Sequence, residues 1–196
     1  SVSGTVLFDN VEVDPSIQTP RGKGPFPRTG LTFPQILHAA IDTGIAAGAL
    51  GAAVDYLKHN ARPWVESGVD HANEEPHIIK QIGEYAVALR AAESLLRDAA
   101  RVFDAHEQDP DNKALQDELI LSVATARAHS DSASLKISSD IFSLLGASSS
   151  LSKWNLDRFW RNARVHTTHD PIRWRLHHVG NYYLNDVDPG EYTAIL

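Results

Sequence analysis

The 196-residue sequence contains neither cysteine nor methionine. Without cysteine the chain can form no disulfide, no thiolate nucleophile and no cysteine-ligated metal site, which fits a cytoplasmic location. The missing methionine indicates a processed chain or a piece of a longer one.

Basic runs and long uninterrupted apolar runs are also absent. The formal net charge is −7, which argues against nucleic acid as a partner. The longest apolar run, residues 36–54, consists mostly of alanine and glycine and contains His38 and Asp42, so we expect no membrane span. Hydrophobic residues make up 42% of the chain and charged residues 22%, enough for a substantial core.

The N-terminal region differs in pattern from the rest of the chain. Alternating apolar residues from Val6 to Val13 predict a β-strand. A single strand is not stable alone, and no later segment resembles its partner, so we expect the remnant of a truncated β-domain. The stretch 14–32 is rich in proline and glycine, as in a linker. The predicted domains are therefore 1–32, the end of a β-domain with a linker, and 33–196, a helical domain.

Helical patterns dominate from Phe33 onward. The spacings predict long helices at 33–60, from about 78 to 103 and at 114–145, followed by shorter helices at 153–165 and 171–185. The second long helix has a continuous apolar stripe formed by Ile78, Ile82, Tyr85, Leu89, Ala92, Leu96, Ala99 and Phe103. We predict an all-α fold, an antiparallel four-helix bundle with one short extra helix.

Two of these helices carry unusual residues. The first has small residues at close spacing, which favour a buried central helix that other backbones approach: Ala40, Gly44, Ala47, Gly48 and Gly51. The third is rich in serine, and two interpretations stay open for this face. It is either a moderately polar helix face or a face that meets a ligand or another subunit: Ser130, Ser132, Ser134, Ser138 and Ser139.

The segment HTTHDPIRW, residues 166–174, is the strongest candidate for chemistry. Asp170 before Pro171 is typical of a helix N-cap followed by proline in the first turn. His166, His169 and Asp170 could contribute to a metal site, but no further ligand pattern accompanies them, and we predict no metal. A histidine beside a carboxylate could also handle protons near neutral pH. The residues alone do not decide between a cap and an acid–base site.

The order of the elements resembles the C-terminal part of the acyl-CoA dehydrogenase superfamily. SGTVLFDNVEV resembles the closing strand of that family's middle β-domain, and residues 33–185 resemble its C-terminal helical domain. WNLDRFWRNARVHTTHDPIRW is most similar to the flavin-dependent monooxygenase branch, of the dibenzothiophene monooxygenase type.

This resemblance implies a flavoprotein oxidoreductase that uses reduced FMN, or FAD, delivered by a separate flavin reductase. Oxygen would pass through a C4a-peroxyflavin to a sulfur-containing or aromatic small molecule. The family also implies a homotetramer. The chain alone would lack turnover, because the β-domain contributes to the flavin and substrate pocket.

The resemblance also assigns catalytic roles within the HTTHDP segment. His166 and His169 correspond to active-site histidines, with His169 near flavin N5–C4a and Asp170 orienting it.

Three further residues are implied to bind the cofactor. Arg62 corresponds to an arginine that meets flavin phosphate, often across a subunit boundary. Gly146 and Ala147 correspond to a glycine turn near the cofactor of a neighbouring protomer. A solvated Arg62 and a plain helix C-cap at Gly146 are the simpler alternatives.

Two alternative functions remain. An acyl-CoA dehydrogenase would oxidise an acyl-CoA thioester with FAD, using a Tyr-Glu-Gly-Thr turn where this chain has His169-Asp170-Pro171. Aspartate is the shorter base and proline lacks the backbone donor, which disfavours that chemistry here. A non-catalytic helical oligomerisation domain would bind no flavin.

Overall fold

A computed structural model describes residues 4–17 and 27–192. Within these ranges the chain is helical, and its main elements are α1 (Thr32–His59), α2 (Pro76–Gln108), α3 (Lys113–Leu145), α4 (Asp157–Thr167) and α5 (Ile172–Asn185). Short 3₁₀ turns lie in the connections. The all-helical prediction for residues 33–185 is confirmed.

The three long helices pack against one another, and α3 touches every other helix. Two apolar clusters form the core. One lies around Leu57, Tyr85 and Ile137. The other lies around Ile36, Val102 and Leu119. The shorter helices α4 and α5 pack on α3, so the segment that joins them lies against the core rather than in solvent.

Helix ends follow local chemistry. The Asn112 side chain accepts hydrogen bonds from the backbone N–H groups of Ala114 and Leu115 and caps α3. Gly146 ends the same helix with a φ of 74°, a conformation that glycine adopts without strain. Helix α4 starts four residues later than predicted, because Asn155 takes a left-handed conformation with a φ of 48° and interrupts the preceding turn.

The strand predicted at Val6–Val13 is not formed. Residues 4–14 have no regular secondary structure, and Val6, Leu7 and Phe8 are 70–88% exposed. A strand needs a second backbone for its hydrogen bonds, and the described residues include no other strand. Residues 1–3 and residues 18–26 of the predicted 14–32 linker lie outside the described ranges.

The small residues that α1 buries against the core are its alanines and not its glycines. Alanines fill the contact with the core, at Ala39, Ala46, Ala49 and Ala53. Gly44 and Gly51 instead face open space, and a Cβ on either would meet no atom within 4 Å among the described residues. Within this chain, the helix that approaches a glycine of α1 is α4, whose Phe159 ring lies at Gly48, whereas the described residues leave Gly44 and Gly51 uncovered.

The serine-rich face of α3 divides into two sets. Ser130, Ser134 and Ser138 are completely buried, and each hydroxyl donates to the carbonyl three residues earlier. Ser132 and Ser139 are exposed. The hydroxyls of the buried serines are hydrogen-bonded within α3, and the side chains pack as small residues. They therefore form neither a polar surface nor an open ligand face.

Helix α1 is also long and apolar enough to cross a membrane by length and composition alone, and a third of its most apolar window is buried. Core helices of water-soluble proteins pass the same test. Asp42 in this helix pairs with Arg127 of α3, which is the arrangement of a helix packed within a protein.

Candidate active site

The HTTHDP segment spans the end of α4 and the turn into α5. His166 lies in the last turn of α4, and the His169 N–H donates to the His166 carbonyl at 3.1 Å. The turn directs the Asp170 side chain into the protein, where the residue is 7% exposed, while His169 is exposed to solvent. The segment therefore presents one histidine outward and one carboxylate inward.

Arg127 of α3 is the centre of the inward side and is completely buried. Its guanidinium donates from Nη1 to Asp42 Oδ2 at 2.6 Å and from Nη2 to Asp170 Oδ1 at 3.1 Å. Its Nε donates to Gln35 Oε1 at 3.2 Å. Because Gln35 and Asp42 lie two turns apart on α1, this one side chain ties together α1, α3 and the α4–α5 turn.

Asp170 is held as a carboxylate by a second arginine. Burial opposes its ionisation, but Arg175 and then Arg127 outweigh that effect and lower the pKa of Asp170. Gln35 Nε2 donates a further hydrogen bond to Asp170 Oδ2 at 3.3 Å. Burial also lowers the pKa of Arg175, against the pull of Asp170. Two cations thus face two carboxylates, so the buried charges balance.

The N-cap prediction for Asp170 is wrong. Pro171 occupies the cap position of α5, without a side-chain cap, because the oxygens of Asp170 accept from Arg127, Arg175 and Gln35 instead. No hydrogen bond joins Asp170 to His169 within the described part of the chain. The orienting role assigned to Asp170 stays a prediction, and any such effect reaches His169 through the shape of the turn.

Three histidine rings lie side by side above the charged cluster. His166 Nδ1 is 2.7 Å from Asp42 Oδ1, and His166 Nε2 is 2.9 Å from His38 Nδ1. The rings of His38 and His169 have centroids 4.6 Å apart. Burial, followed by the Arg127 cation and the two neighbouring histidines, lowers the pKa of His38. The neutral imidazole of His38 is therefore favoured.

The sequence prediction included His166, His169 and Asp170 but missed His38, Asp42 and Arg127. The spacing of His38 and Asp42, four residues apart, was a readable signal because such positions share a helix face. The partners of that face lie 85 and 128 residues away in the chain. A contact at that separation follows from the packing of the helices and has no local pattern.

The predicted cofactor residues lie elsewhere, beyond the C-terminal end of α1. Arg62 and Gly146 line one open cleft of about 360 Å³, together with Trp64 and His77. Arg62 is exposed and makes no hydrogen bond or ion pair with the described residues. A free guanidinium over a cleft fits a phosphate group. Ala147 is exposed and does not line the cleft.

The two groups of predicted residues are far apart within one chain. His38 is near the start of α1 and Arg62 lies just past its end at His59, so the helix between them spans roughly 30 Å at about 1.5 Å per residue. The histidine cluster and the Arg62 cleft therefore lie near opposite ends of α1.

The prediction that the site holds no metal stays a prediction. No group of three or more histidine, aspartate or glutamate side chains in residues 4–17 and 27–192 could hold a metal ion. The cluster consists of imidazoles, carboxylates and guanidiniums, and the carboxylates are engaged by Arg127 and Arg175.

Comparison with known proteins places this geometry in a family. The family model described as "Acyl-CoA dehydrogenase, C-terminal domain" matches residues 36–174. A dibenzothiophene monooxygenase of Mycolicibacterium goodii is 36% identical over 200 residues, covering 95% of this chain and 48% of that protein. The probable FMNH2-dependent monooxygenase SfnC of Pseudomonas putida is 31% identical, covering 95% of this chain and 49% of that protein.

Solved structures agree with these matches. The FMN-bound structure of TdsC from Paenibacillus sp. A11-2 superposes with a TM-score of 0.80 at 30% identity, covering 84% of this chain and 42% of that one. The chain therefore spans about half the length of the relatives that it matches.

Proposed function

Because the chain belongs to the acyl-CoA dehydrogenase C-terminal domain family, we propose that it is the helical C-terminal part of a reduced-flavin-dependent monooxygenase. Its substrate would be a sulfur-containing or aromatic small molecule, as the names of its relatives and the indole bound to TdsC suggest. The single observation that supports this most strongly is the histidine cluster. His169 is exposed at its edge, and the cluster rests on a buried, charge-balanced support.

Reduced flavin, when bound, supplies the electrons that activate molecular oxygen. We favour FMN over FAD, since SfnC is named for FMNH2 and TdsC was solved with FMN. A cofactor used in reduced form implies a separate flavin reductase as partner. Neither nucleic acid nor membrane is part of the proposal, and we place the protein in the cytoplasm.

The residues of the chain have distinct proposed roles. His169 would hold or move a proton at the flavin edge, and His166 would support it from the end of α4. Asp170 would fix the turn through its ion pairs with Arg127 and Arg175. At the other end of the molecule, Arg62 would bind a flavin phosphate, beside the turn at Gly146 and Ala147.

The separation of these two ends supports a homo-oligomer, and we propose a homotetramer. If a single flavin meets both a histidine cluster and an Arg62, the two must come from different protomers. The exposed side of α1 fits this arrangement, since Phe33, Leu37 and Ile41 follow one another at four-residue steps and are about half exposed. Such a row is typical of a helix face that another chain covers.

The same proposal accounts for the N-terminal segment and for the bundle. Residues 1–32 would be the last strand of a β-domain and a linker, with Val6–Val13 pairing with strands of the longer protein. Residues 33–196 would form the helical domain. In it α5 would be the fourth helix of an antiparallel four-helix bundle, and α4 would be the short extra helix.

Oxygen-transfer assays on the protein that carries this chain test the function. With reduced FMN, ¹⁸O-labelled oxygen and dibenzothiophene or an aromatic substrate such as indole, mass spectrometry should detect one labelled oxygen atom in the product. His169→Ala should abolish the product while flavin binding, measured by fluorescence quenching, persists. The matched control His59→Ala, an exposed histidine at the far end of α1, should behave as the wild type.

Two other results would replace the proposal. Electron transfer from an acyl-CoA to an acceptor dye, with no oxygenated product, would assign acyl-CoA dehydrogenase activity with FAD. Failure to bind any flavin would assign a non-catalytic oligomerisation domain.

A further inference from the structure

A graded row of groups leads from the buried core to the surface beside His169. Asp42 is completely buried, the His166 side chain is 19% exposed, His38 is half-buried and His169 is exposed. Each step is short: Asp42 Oδ1 to His166 Nδ1 is 2.7 Å, and His166 Nε2 to His38 Nδ1 is 2.9 Å. Two histidines joined ring to ring and anchored on a buried carboxylate form a continuous hydrogen-bonded path.

The chemistry of the path fixes where the ring hydrogens are. A carboxylate only accepts, so His166 carries its hydrogen on Nδ1 and, when neutral, accepts on Nε2. The hydrogen between the two rings must then belong to His38 Nδ1. It follows that a neutral His38 keeps its lone pair on Nε2, at the outer end of the path.

We propose that Asp42, His166 and His38 form a proton relay whose outer end, His38 Nε2, exchanges protons with the site occupied by His169. His38 and Asp42 are positioning residues here, because each acts on the reaction through a neighbouring histidine: Asp42 through His166, and His38 through His169. The use of the relay in oxygen transfer rests on the proposed function, whereas the relay itself rests on the geometry of the three side chains.

Protons balance along this path without any change in the heavy-atom bonds. A proton that arrives at His38 Nε2 releases the Nδ1 proton of His38 to His166 Nε2. His38 is then neutral again with its hydrogen on Nε2, and His166 is an imidazolium beside Asp42. The reverse sequence returns the proton outward through His38 Nε2.

The electrostatic surroundings suit a relay in which the His38 ring rests neutral. Burial and the Arg127 cation lower the pKa of His38, so its Nε2 is available as an acceptor near neutral pH. The excess proton is stabilised only when it reaches His166, next to the Asp42 carboxylate. The titratable and charged groups around the relay come from three elements besides α1: Arg127, Asp131, His169, Asp170 and Arg175.

The tautomer of His38 can be measured without any turnover. In ¹⁵N-histidine NMR spectra of the protein, protonated and unprotonated ring nitrogens have well-separated shifts. His38 should be an Nδ1–H tautomer at neutral pH, His166 should carry a hydrogen on Nδ1, and His166→Asn should remove the constraint on His38. An Nε2–H tautomer of His38 in the wild type would overturn the relay.

The pH profile of turnover tests the role of the relay in catalysis. His38→Gln keeps a polar group at a half-buried position and should fold. It should lower kcat by about 10- to 100-fold and shift the acidic limb of the profile, while the Kd for reduced FMN stays within twofold. Asp42→Asn should shift the same limb. His59→Gln, exposed at the end of α1, is the matched control and should change neither quantity.

These outcomes separate the relay from the proposed function. The expected tautomers in a protein that oxygenates nothing would support the relay and overturn the function. Oxygenation with a His38→Gln profile identical to that of His59→Gln would support the function and overturn the relay.

Discussion

Arg127 is the residue on which the candidate site depends most. Its guanidinium has no exposed surface and pairs with two carboxylates that are themselves buried. Replacing one partner of a buried ion pair leaves an uncompensated charge, which costs about 3–5 kcal/mol. We expect Arg127→Met to lower the free energy of unfolding by that amount, measured by urea titration.

The comparison for Arg127 is an arginine in an exposed pair. Arg101 lies on α2 and pairs with Asp98 one turn away, with both side chains exposed. Exposed pairs contribute little to stability. Arg101→Met should leave the urea midpoint nearly unchanged, and an equal loss in both variants would contradict the central role of Arg127.

Asp131, one turn from Arg127 on α3, makes stability depend on pH. Burial, and then the nearby Asp42, raise its pKa to about 6 from an ordinary 3.8. Between these values the folded state keeps a proton that the unfolded state has released, so Asp131 lowers stability as the pH rises through this window. Asp131→Asn should raise the free energy of unfolding at pH 8 by on the order of 2 kcal/mol.

At acidic pH this gain should vanish. Below the unfolded pKa of 3.8 the carboxyl is protonated in both states, and it then resembles the amide that replaces it. Paired urea titrations of wild type and Asp131→Asn across the pH range give the measurement. A gain of equal size at every pH would show that Asp131 does not titrate in this way.

Individual residues also show how far sequence reasoning reaches. His166, His169 and Asp170 stood out because they are neighbours in the chain. Asp170 was wrongly predicted to be a helix N-cap, because the Asp-Pro pattern gives no sign that two arginines bind its oxygens. His38 and Asp42 were seen only as interruptions in an apolar run, although their spacing placed them on one face.

At the level of elements, helices were predictable and the strand was not. The hydrogen bonds of a helix are local, so the apolar stripe of α2 and the glycine after α3 identify these elements from sequence alone. The hydrogen bonds of a strand belong to another segment. The pattern at Val6–Val13 indicates a preference for strand geometry but cannot supply the partner that would satisfy it.

The glycines of α1 allow a matched pair of substitutions within one helix. A Cβ on Gly48 would lie 2.7 Å from Phe159 Cε1 of α4, whereas a Cβ on Gly51 would meet nothing within 4 Å. Alanine is preferred over glycine inside a helix by about 1 kcal/mol. Gly51→Ala should therefore raise the free energy of unfolding by about that amount.

Gly48→Ala should not show this gain, because the new methyl group displaces the ring of Phe159 and loosens α4 against α1. Thermal or urea unfolding of the two variants measures the difference directly. Equal stabilisation by both would mean that the α1–α4 contact yields without cost and does not hold the histidine segment in place.

On the scale of the whole molecule, α1 separates the two groups of predicted site residues. The histidine cluster lies near its start, and the cleft of Arg62 and Gly146 lies beyond its end. The proposed site is therefore one to which two protomers contribute. A sequence alone gives no such separation, because it requires the bounds of α1 and the packing of the later segments against it.

Subunit complementation tests this shared site. In a mixture of Arg62→Ala and His169→Ala protomers, some sites combine the intact histidine cluster of one with the intact Arg62 of the other. Turnover in mixed oligomers, formed by co-expression and separated by two affinity tags, should rise well above that of either variant alone. If both residues served a flavin within one chain, every site would carry one defect and the mixture would be no more active than its components.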